Sequence, residues 1–276
     1  MTTTTPSSKA DHGLRCHALD VEIGARPVAR ELDLVLRPGE FWGLLGANGS
    51  GKTTLLRHFA GLLPPAGGTL SLDGRPLARW PRRELARSLG MMQQHADYVF
   101  DASVLDVALT GRHPYLGPWQ RESRDDRDHA MRALATVDLA SLADRPVTRL
   151  SGGEARRLAF AALLVQSPDT LLLDEPTNHL DFRHQVSVMR TVGNHVYGDG
   201  RLAVAALHDV NLAATYCSHV LLLYGEGEWQ AGPAPDLLNM DNLERLYQCP
   251  VTVVDTPDGR RFHPSFSRLS DGPSAD

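Results

Sequence analysis

The stretch that decides the fold is FWGLLGANGSGKTTLLRHFA, residues 41–60. It begins with an uncharged, mostly apolar run, continues through a glycine-rich turn and ends in a segment with helical periodicity. Such a run is typical of a buried parallel strand, and the turn fits the pattern GxxxxGK[ST] at residues 46–53 without a mismatch. Strand, turn and helix in this order predict a phosphate-binding loop (P-loop) in an α/β fold with a mostly parallel sheet.

The residue types of the P-loop suit the binding of a nucleoside triphosphate. Its glycines let backbone N–H groups turn towards phosphate oxygens, and the amino end of the following helix adds partial positive charge. Lys52 is expected to reach the β- and γ-phosphates, and Thr53 to be a ligand of Mg²⁺. The predicted nucleotide-binding residues here are Gly46, Asn48, Gly49, Ser50, Gly51, Lys52, Thr53 and Thr54.

Two further apolar runs, at 170–175 (TLLLDE) and 202–208 (LAVAALH), end in polar residues. Because the carboxyl ends of parallel strands meet at one edge of a sheet, these residues are expected beside the P-loop. Asp174 is predicted to be a ligand of Mg²⁺, and Glu175 to accept a proton from the water that attacks the γ-phosphate, or to orient it. His208 is predicted to contact the γ-phosphate.

A glutamine pair follows another short apolar strand, in GMMQQHAD at 90–97. An uncharged amide suits a position that must contact Mg²⁺ or water and then release it. Gln94 is therefore predicted to be a catalytic and metal-contacting residue, although Gln93 beside it leaves the choice between the two open.

A second candidate anion site lies in LSGGEARRLAF, residues 150–160. Ser151, Gly152 and Gly153 precede a helical pattern, so Ser151 has the place of an N-cap and the backbone N–H groups behind it remain free. An N-cap that binds no ligand is the alternative, and for these three residues alone it is the favoured one.

The remaining pattern predicts three structural parts. Alternation at 31–36 (ELDLVL) and 68–74 (GTLSLDG) indicates antiparallel strands, whereas between about 95 and 165 helical patterns replace strands. The helical patterns between about 95 and 165 predict a helical subdomain inserted into the parallel-sheet core. After residue 219 we expect a strand, a glycine-rich turn, short helices and a terminal hairpin.

Composition limits the function classes. The chain has 276 residues, and its formal charge of −5 lacks the basic excess typical of nucleic-acid partners. Three widely spaced cysteines favour a reducing compartment, and the polar start and the lack of ~18-residue apolar runs predict a cytosolic protein without a signal peptide or membrane span. One domain is expected at 13–267, between disordered tails at 1–12 and 268–276.

Together these motifs resemble the ATP-binding subunit of ATP-binding-cassette (ABC) transporters. The resemblance covers residues 14–265, and the motifs come in family order. These motifs are the P-loop 46–53, Gln94, the signature segment LSGGE 150–154, LLLDE 171–175, NHLD 178–181 and His208.

The resemblance implies a dimer in which two cassettes pair head to tail around a twofold axis. Each ATP then lies between the P-loop of one copy and the signature segment of the other. Ser151, Gly152 and Gly153 would bind the γ-phosphate of the partner's ATP, and Asp181 would bridge the dimer near the opposite P-loop. The helical subdomain with the Gln94 loop would receive a coupling helix from a membrane permease.

Three stretches, 109–119, 207–223 and 242–254, resemble the importer branch for iron-siderophore, haem and vitamin B12 chelates. This branch implies an energy-coupling ATPase that uses ATP and Mg²⁺ at the cytoplasmic face of the inner membrane. Its partners would be integral permease subunits and, indirectly, a periplasmic substrate-binding protein that recognises the cargo.

Two alternatives to import differ in how well they fit the motifs. Among soluble ABC ATPases, translation types usually carry two cassettes and repair types carry long insertions; a single-cassette Fe–S cluster assembly ATPase fits the chain better. The branch-specific stretches weigh against that ATPase. A kinase-like P-loop enzyme leaves the signature segment and His208 unexplained.

The sequence departs from the family pattern at two positions. Ile23 occupies the approximate place of an aromatic residue that stacks on adenine in many members. Arg156 stands where a glutamine is common, and we expect it to alter a contact on the helix surface without touching a catalytic group.

Overall fold

A computed structural model describes residues 12–94, 98 and 101–265 of the chain. The strands of this part are β1 Leu14–Ile23, β2 Arg26–Leu36, β3 Phe41–Gly46, β4 Gly67–Leu72, β5 Arg75–Pro76, β6 Leu89–Met92, β7 Thr170–Asp174, β8 Leu202–Ala206, β9 His219–Gly225, β10 Glu228–Pro233, β11 Val251–Thr256 and β12 Gly259–Pro264. Its α-helices are α1 Lys52–Phe59, α2 Arg82–Ser88, α3 Val104–Leu109, α4 Arg124–Thr136, α5 Gly152–Gln166, α6 Phe182–Gly193, α7 Val210–Tyr216, α8 Ala234–Leu237 and α9 Met240–Tyr247.

A six-stranded sheet forms the centre of the molecule, in the order β10-β9-β3-β8-β7-β6. All neighbours pair in parallel except β9 and β10, which are antiparallel at one edge. The register pairs Leu44 with Ala206, Ala206 with Asp174, and Leu173 with Met92. The segments that follow β3, β8, β7 and β6 therefore leave the sheet side by side along one edge.

Apolar residues cover both faces of this sheet. Alternate residues of β3 point to opposite sides, with Phe41 and Leu45 in one buried cluster and Trp42 and Leu44 in the other. The second cluster also contains residues of α1 and of β1, β2 and β4, which belong to a separate antiparallel sheet of order β2-β1-β4-β5. The antiparallel strands predicted from alternating residues are confirmed as parts of this sheet.

Helices connect β6 to β7, and three of them begin with the same device. Ser103, Ser123 and Ser151 are the N-caps of α3, α4 and α5, and each forms a capping box with an acidic residue three positions later. The predicted limits of the domain, 13–267, and of its helical part, about 95–165, stay predictions. The tail expected at 268–276 and, apart from residue 12, that at 1–12 lie outside the described residues.

The carboxyl-terminal hairpin of β11 and β12 is anchored to α7 by one side chain. Asn211 Nδ2 donates to the carbonyl oxygen of Phe262 at 3.0 Å, and Asn211 Oδ1 accepts from the backbone N–H of Phe262 at 2.8 Å. The Phe262 ring is buried in the core. Asn211 therefore satisfies both backbone groups of Phe262, the residue whose ring packs the hairpin against the core.

We expect Asn211→Ala to loosen the hairpin, because it leaves the Phe262 backbone without these partners. The free energy of unfolding should fall by about 1–3 kcal/mol, and amide hydrogen exchange should become faster at 251–264. Asn194→Ala, which removes an exposed asparagine from the end of α6, serves as control. Exchange at 251–264 that is equal in both variants would contradict the anchoring role.

Candidate active site

The P-loop is shaped by glycines in backbone conformations that other residues avoid. Gly49 and Gly51 have φ angles of 75° and 99°, and a Cβ atom on Gly51 would lie 2.4 Å from Val28 Cγ2. Gly51 is also the N-cap of α1, and it has no side chain that could occupy the N–H groups of the first turn. No N-cap side chain therefore occupies these groups, which is the arrangement that an anion-binding helix start requires.

Lys52 is buried within its own loop. Its ammonium donates to the carbonyl oxygens of Gly46 at 2.8 Å and Ala47 at 3.1 Å. Burial lowers the pKa of Lys52, while the nearby carboxylates of Glu175 and Asp174 raise it. The cation thus depends on the loop carbonyls and these carboxylates for its stabilisation in the folded chain.

Thr53 and Asp174 lie together at the ends of α1 and β7. Thr53 Oγ1 donates to Asp174 Oδ1 at 3.1 Å, whereas the buried Oδ2 atom has no hydrogen-bond partner among the described residues. Burial raises the pKa of Asp174, and the bond from Thr53 lowers it. A buried carboxylate oxygen without a partner, beside a hydroxyl group, fits the oxygen ligands that Mg²⁺ prefers.

Glu175 is the centre of the polar network. Gln94 Nε2 donates to Glu175 Oε2 at 2.8 Å, Asn178 Nδ2 donates to the same oxygen, and His208 Nε2 lies 2.5 Å from Oε1. The backbone of Glu175 has a left-handed φ of 53°, and its N–H donates to the Ala206 carbonyl at 3.2 Å. The structure therefore joins three side chains that the sequence predicts to act together.

Asn178 was not among the predicted site residues. It lies three positions after Glu175 in a turn that its N–H closes by donating to the Glu175 carbonyl at 3.2 Å. The segment Pro-Thr-Asn after the strand carries a signal for this turn, because asparagine is common where a chain reverses direction.

The expectation for Arg156 was wrong. The side chain is only 5% exposed, and its guanidinium donates to the backbone carbonyls of Gln93, Gln94, Asp174 and Glu175. The reason is that α5 turns this side chain towards the ends of β6 and β7 instead of the surface. Arg156 thus contacts the backbone of three predicted site residues.

A cavity of ≈ 480 Å³ connects the P-loop to this network. It is lined by Ile23, Asn48, Gly49, Ser50, Gly51, Lys52, Thr53, Thr54, Gln94, Glu175, Asn178 and His208. The predicted residues Ser151, Gly152, Gly153 and Asp181 do not line it. They lie at the amino ends of α5 and α6, where Ser151 and Asp181 are the N-caps.

The signature segment is accessible although its serine is an N-cap. Ser151 Oγ accepts from the Glu154 N–H at 3.3 Å, and the Glu154 carboxylate accepts from the Ser151 N–H at 2.7 Å. Ser151 and Gly152 are exposed, and a Cβ atom on Gly152 would meet nothing within 4 Å. This geometry agrees with the N-cap alternative and, among the described residues, leaves open space in front of Gly152.

A sequence profile of the ABC transporter family matches residues 29–178. The chain belongs to this family. It is 39% identical to the hemin import ATP-binding protein HmuV of Nocardia farcinica, over 92% of this chain and 88% of that protein. It is 34% identical to the ferric enterobactin transport ATP-binding protein FepC of Escherichia coli, over 88% of this chain and 90% of that protein.

A solved structure agrees with this assignment. The cassette matches a chain of a transporter described as metal-chelate type, in an inward-facing conformation, with a TM-score of 0.80 and 26% identity. The match covers 92% of this chain and 98% of that chain. The predicted family, the fold class with parallel, antiparallel and helical parts, and the prediction of an ATPase cassette are therefore confirmed.

Within the described residues, none of the cassette's helices combines the length and apolar character needed to cross a membrane.

Ile23 lies at the mouth of the cavity, where it is 46% exposed at the end of β1. We expect Ile23→Tyr to bind ATP more tightly, because an aromatic ring can stack on the base. The gain should be about 0.5–1.5 kcal/mol, roughly a 2- to 10-fold lower Kd in equilibrium titrations.

Two controls separate this effect from general changes. Val254→Tyr adds a ring at a similarly exposed aliphatic residue, 44% exposed on β11, and should leave the Kd unchanged. Inorganic tripolyphosphate should bind wild type and Ile23→Tyr equally. An unchanged Kd for ATP in Ile23→Tyr would contradict a base contact at Ile23.

Proposed function

We propose that this chain is the ATP-hydrolysing subunit of an importer for iron-siderophore, haem or cobalamin chelates. The observation that supports hydrolysis is the Glu175 carboxylate, which lies at the P-loop cavity between Gln94 and His208. The observation that supports the cargo class is the similarity to relatives named for hemin import and ferric enterobactin transport.

Hydrolysis requires a base for water and positive charge around the phosphates. Glu175 accepts the proton of the attacking water, and His208 and Gln94 orient its two oxygens from either side. Lys52 and the N–H groups at the start of α1 bind the phosphates. Thr53, Asp174 and Gln94 would hold Mg²⁺, which when bound neutralises charge on the phosphates.

A second copy of the chain completes each site in this proposal. The signature residues Ser151, Gly152 and Gly153 do not line the chain's own cavity, and Ser151 and Gly152 are exposed, with open space in front of Gly152 among the described residues. In a head-to-tail dimer they bind the γ-phosphate held by the partner, and Asp181, whose side chain is exposed, lies near the partner's P-loop. ATP then stabilises the closed dimer because it contacts both copies.

The proposed complex contains an integral permease and, outside the membrane, a periplasmic substrate-binding protein. The cassette is peripheral at the cytoplasmic face of the inner membrane, and its helical part with the Gln94 loop contacts the permease. The transport names of the relatives weigh against an Fe–S cluster assembly ATPase, and no nucleic-acid partner is proposed.

Glu175→Gln should abolish turnover and trap an ATP-bound dimer, because the amide cannot accept the water's proton. We expect kcat to fall by roughly 10²- to 10⁴-fold, with a shift from monomer to dimer in size-exclusion chromatography with ATP and Mg²⁺. Glu228→Gln, which changes an exposed glutamate on β10, should keep the wild-type rate. A Glu175→Gln variant that stays monomeric at saturating ATP would contradict the head-to-tail dimer.

Purification of the tagged chain from detergent-solubilised membranes tests the transport role. We expect a multi-helix permease to co-purify, and ATPase activity of the reconstituted complex to rise when its binding protein carries a ferric-siderophore, haem or cobalamin. Recovery only from the soluble fraction, together with an Fe–S scaffold protein, would instead support the soluble alternative.

A further inference from the structure

Arg156 uses its guanidinium to join two separate segments of the active site. Nη1 donates to the Gln93 carbonyl at 2.8 Å and to the Gln94 carbonyl, and Nη2 donates to the carbonyls of Asp174 and Glu175. Each terminal nitrogen carries two hydrogens. Four hydrogens therefore serve four carbonyls, with one nitrogen assigned to each segment.

The sheet itself cannot satisfy these carbonyls. The ladder between β6 and β7 ends where Met92 pairs with Leu173, so within the described part of the chain the next residues of both strands have no strand partner on this side. On the other side the N–H of Glu175 still bonds to β8, through the Ala206 carbonyl. Arg156 replaces the missing rung between β6 and β7 at the point where the two strands separate.

A buried charge at this position needs several partners. Burial lowers the pKa of Arg156, and the nearby carboxylates of Asp174 and Glu175 raise it. Removal of a guanidinium from water is unfavourable unless it is paired and hydrogen-bonded. The carboxylates supply the opposite charge and the four carbonyls accept from both terminal nitrogens, while the buried Nε has no hydrogen-bond partner among the described residues. The charge therefore depends on these backbone segments keeping their places.

The position of Arg156 on α5 connects its hydrogen bonds at the ends of β6 and β7 to the signature segment. The helix begins at Gly152, and Arg156 lies one turn further along it. One rigid turn therefore separates the residues proposed to bind the partner's ATP from the side chain that holds the chain's own Glu175 and Gln94.

We propose that Arg156 is a positioning residue for ATP hydrolysis. It holds the backbone of Glu175 in its left-handed conformation and keeps the Gln94 amide at the Glu175 carboxylate. It also fixes both to α5, the helix that begins at the signature segment. A movement of α5 when it binds a partner's nucleotide would therefore displace the Glu175 carboxylate. This inference rests on the proposed function of Glu175.

Glutamine at position 156 should hold the two backbone segments less well than arginine. Its amide has two hydrogens on a single nitrogen, so it cannot give each segment a nitrogen of its own. Lysine keeps the charge and three donors but also concentrates them on one nitrogen. We therefore expect the order of activity to be arginine, then lysine, then glutamine.

Steady-state ATPase measurements test this order. We expect Arg156→Gln to lower kcat by roughly 10- to 100-fold, because small displacements of catalytic groups have effects of this size. KM and the Kd for a non-hydrolysable ATP analogue should not change, since the P-loop is untouched. Arg156→Lys should restore part of kcat.

Arg201→Gln is the matched control. The Arg201 guanidinium donates to one backbone acceptor, the Pro168 carbonyl, at 3.1 Å and to the side-chain Ser167 Oγ at 3.2 Å, at the opposite, amino end of the strands. Arg201→Gln should lose these two hydrogen bonds without a change in kcat. Hydrogen exchange at 93–94 and 174–178 should become faster in Arg156→Gln and not in Arg201→Gln.

Each outcome distinguishes the possibilities. A wild-type kcat in Arg156→Gln, or an increase in KM with no recovery by Arg156→Lys, would overturn the positioning role. If Arg156→Gln does not fold, Arg156→Lys must show the loss of kcat at constant KM. A wild-type protein without ATPase activity would overturn the proposed function, while the exchange measurement would still test the positioning.

Discussion

Mutual neutralisation of four buried charges is the interaction on which the site depends. Lys52 and Arg156 are 5% exposed, and Asp174 and Glu175 are 1% and 7% exposed. Two cations and two carboxylates balance one another, and each is also hydrogen-bonded by backbone or side-chain groups around it. The sheet makes this possible, because parallel strands bring the loop after β3 and the ends of β6, β7 and β8 to one edge. Loss of any one charge would weaken the stabilisation of the other three, which would then depend more on their hydrogen bonds.

Most of this edge could be predicted from the sequence, because a carboxylate at the end of a buried apolar strand is unfavourable unless a cation lies beside it. Arg156 could not be placed in the same way, since a family pattern gives the common residue at a position and not the contacts of an arginine there. A physical signal was nevertheless present. Phe160 and Leu163 follow Arg156 at helical spacing, so the arginine shares the apolar side of α5 that is buried in the structure. A positively charged side chain on the buried, apolar side of a helix predicts buried hydrogen-bond acceptors around it.

The signature segment shows where prediction from a single chain ends. Capping by Ser151 and Glu154 accounts for why α5 begins there, and the same capping box begins α3 and α4. What distinguishes the capping box of α5 is that Gly152 follows its serine, and the space in front of this glycine is open among the described residues. Sequence periodicity predicts the helix and its cap, but only a second copy can supply the anion that the opening would receive.

The described structure also indicates that nucleotide binding must exchange bonds rather than only add them. The Lys52 ammonium is held by the Gly46 and Ala47 carbonyls, and both oxygens of Glu175 are held by neighbouring side chains. A phosphate that approaches Lys52 competes with the loop carbonyls, and a water at Glu175 competes with the amide and imidazole groups around it. The backbone that carries these groups is fixed independently, by the strands and by Arg156. Donors and acceptors can therefore change partners while the carboxylate keeps its place, which is the condition for repeated turnover.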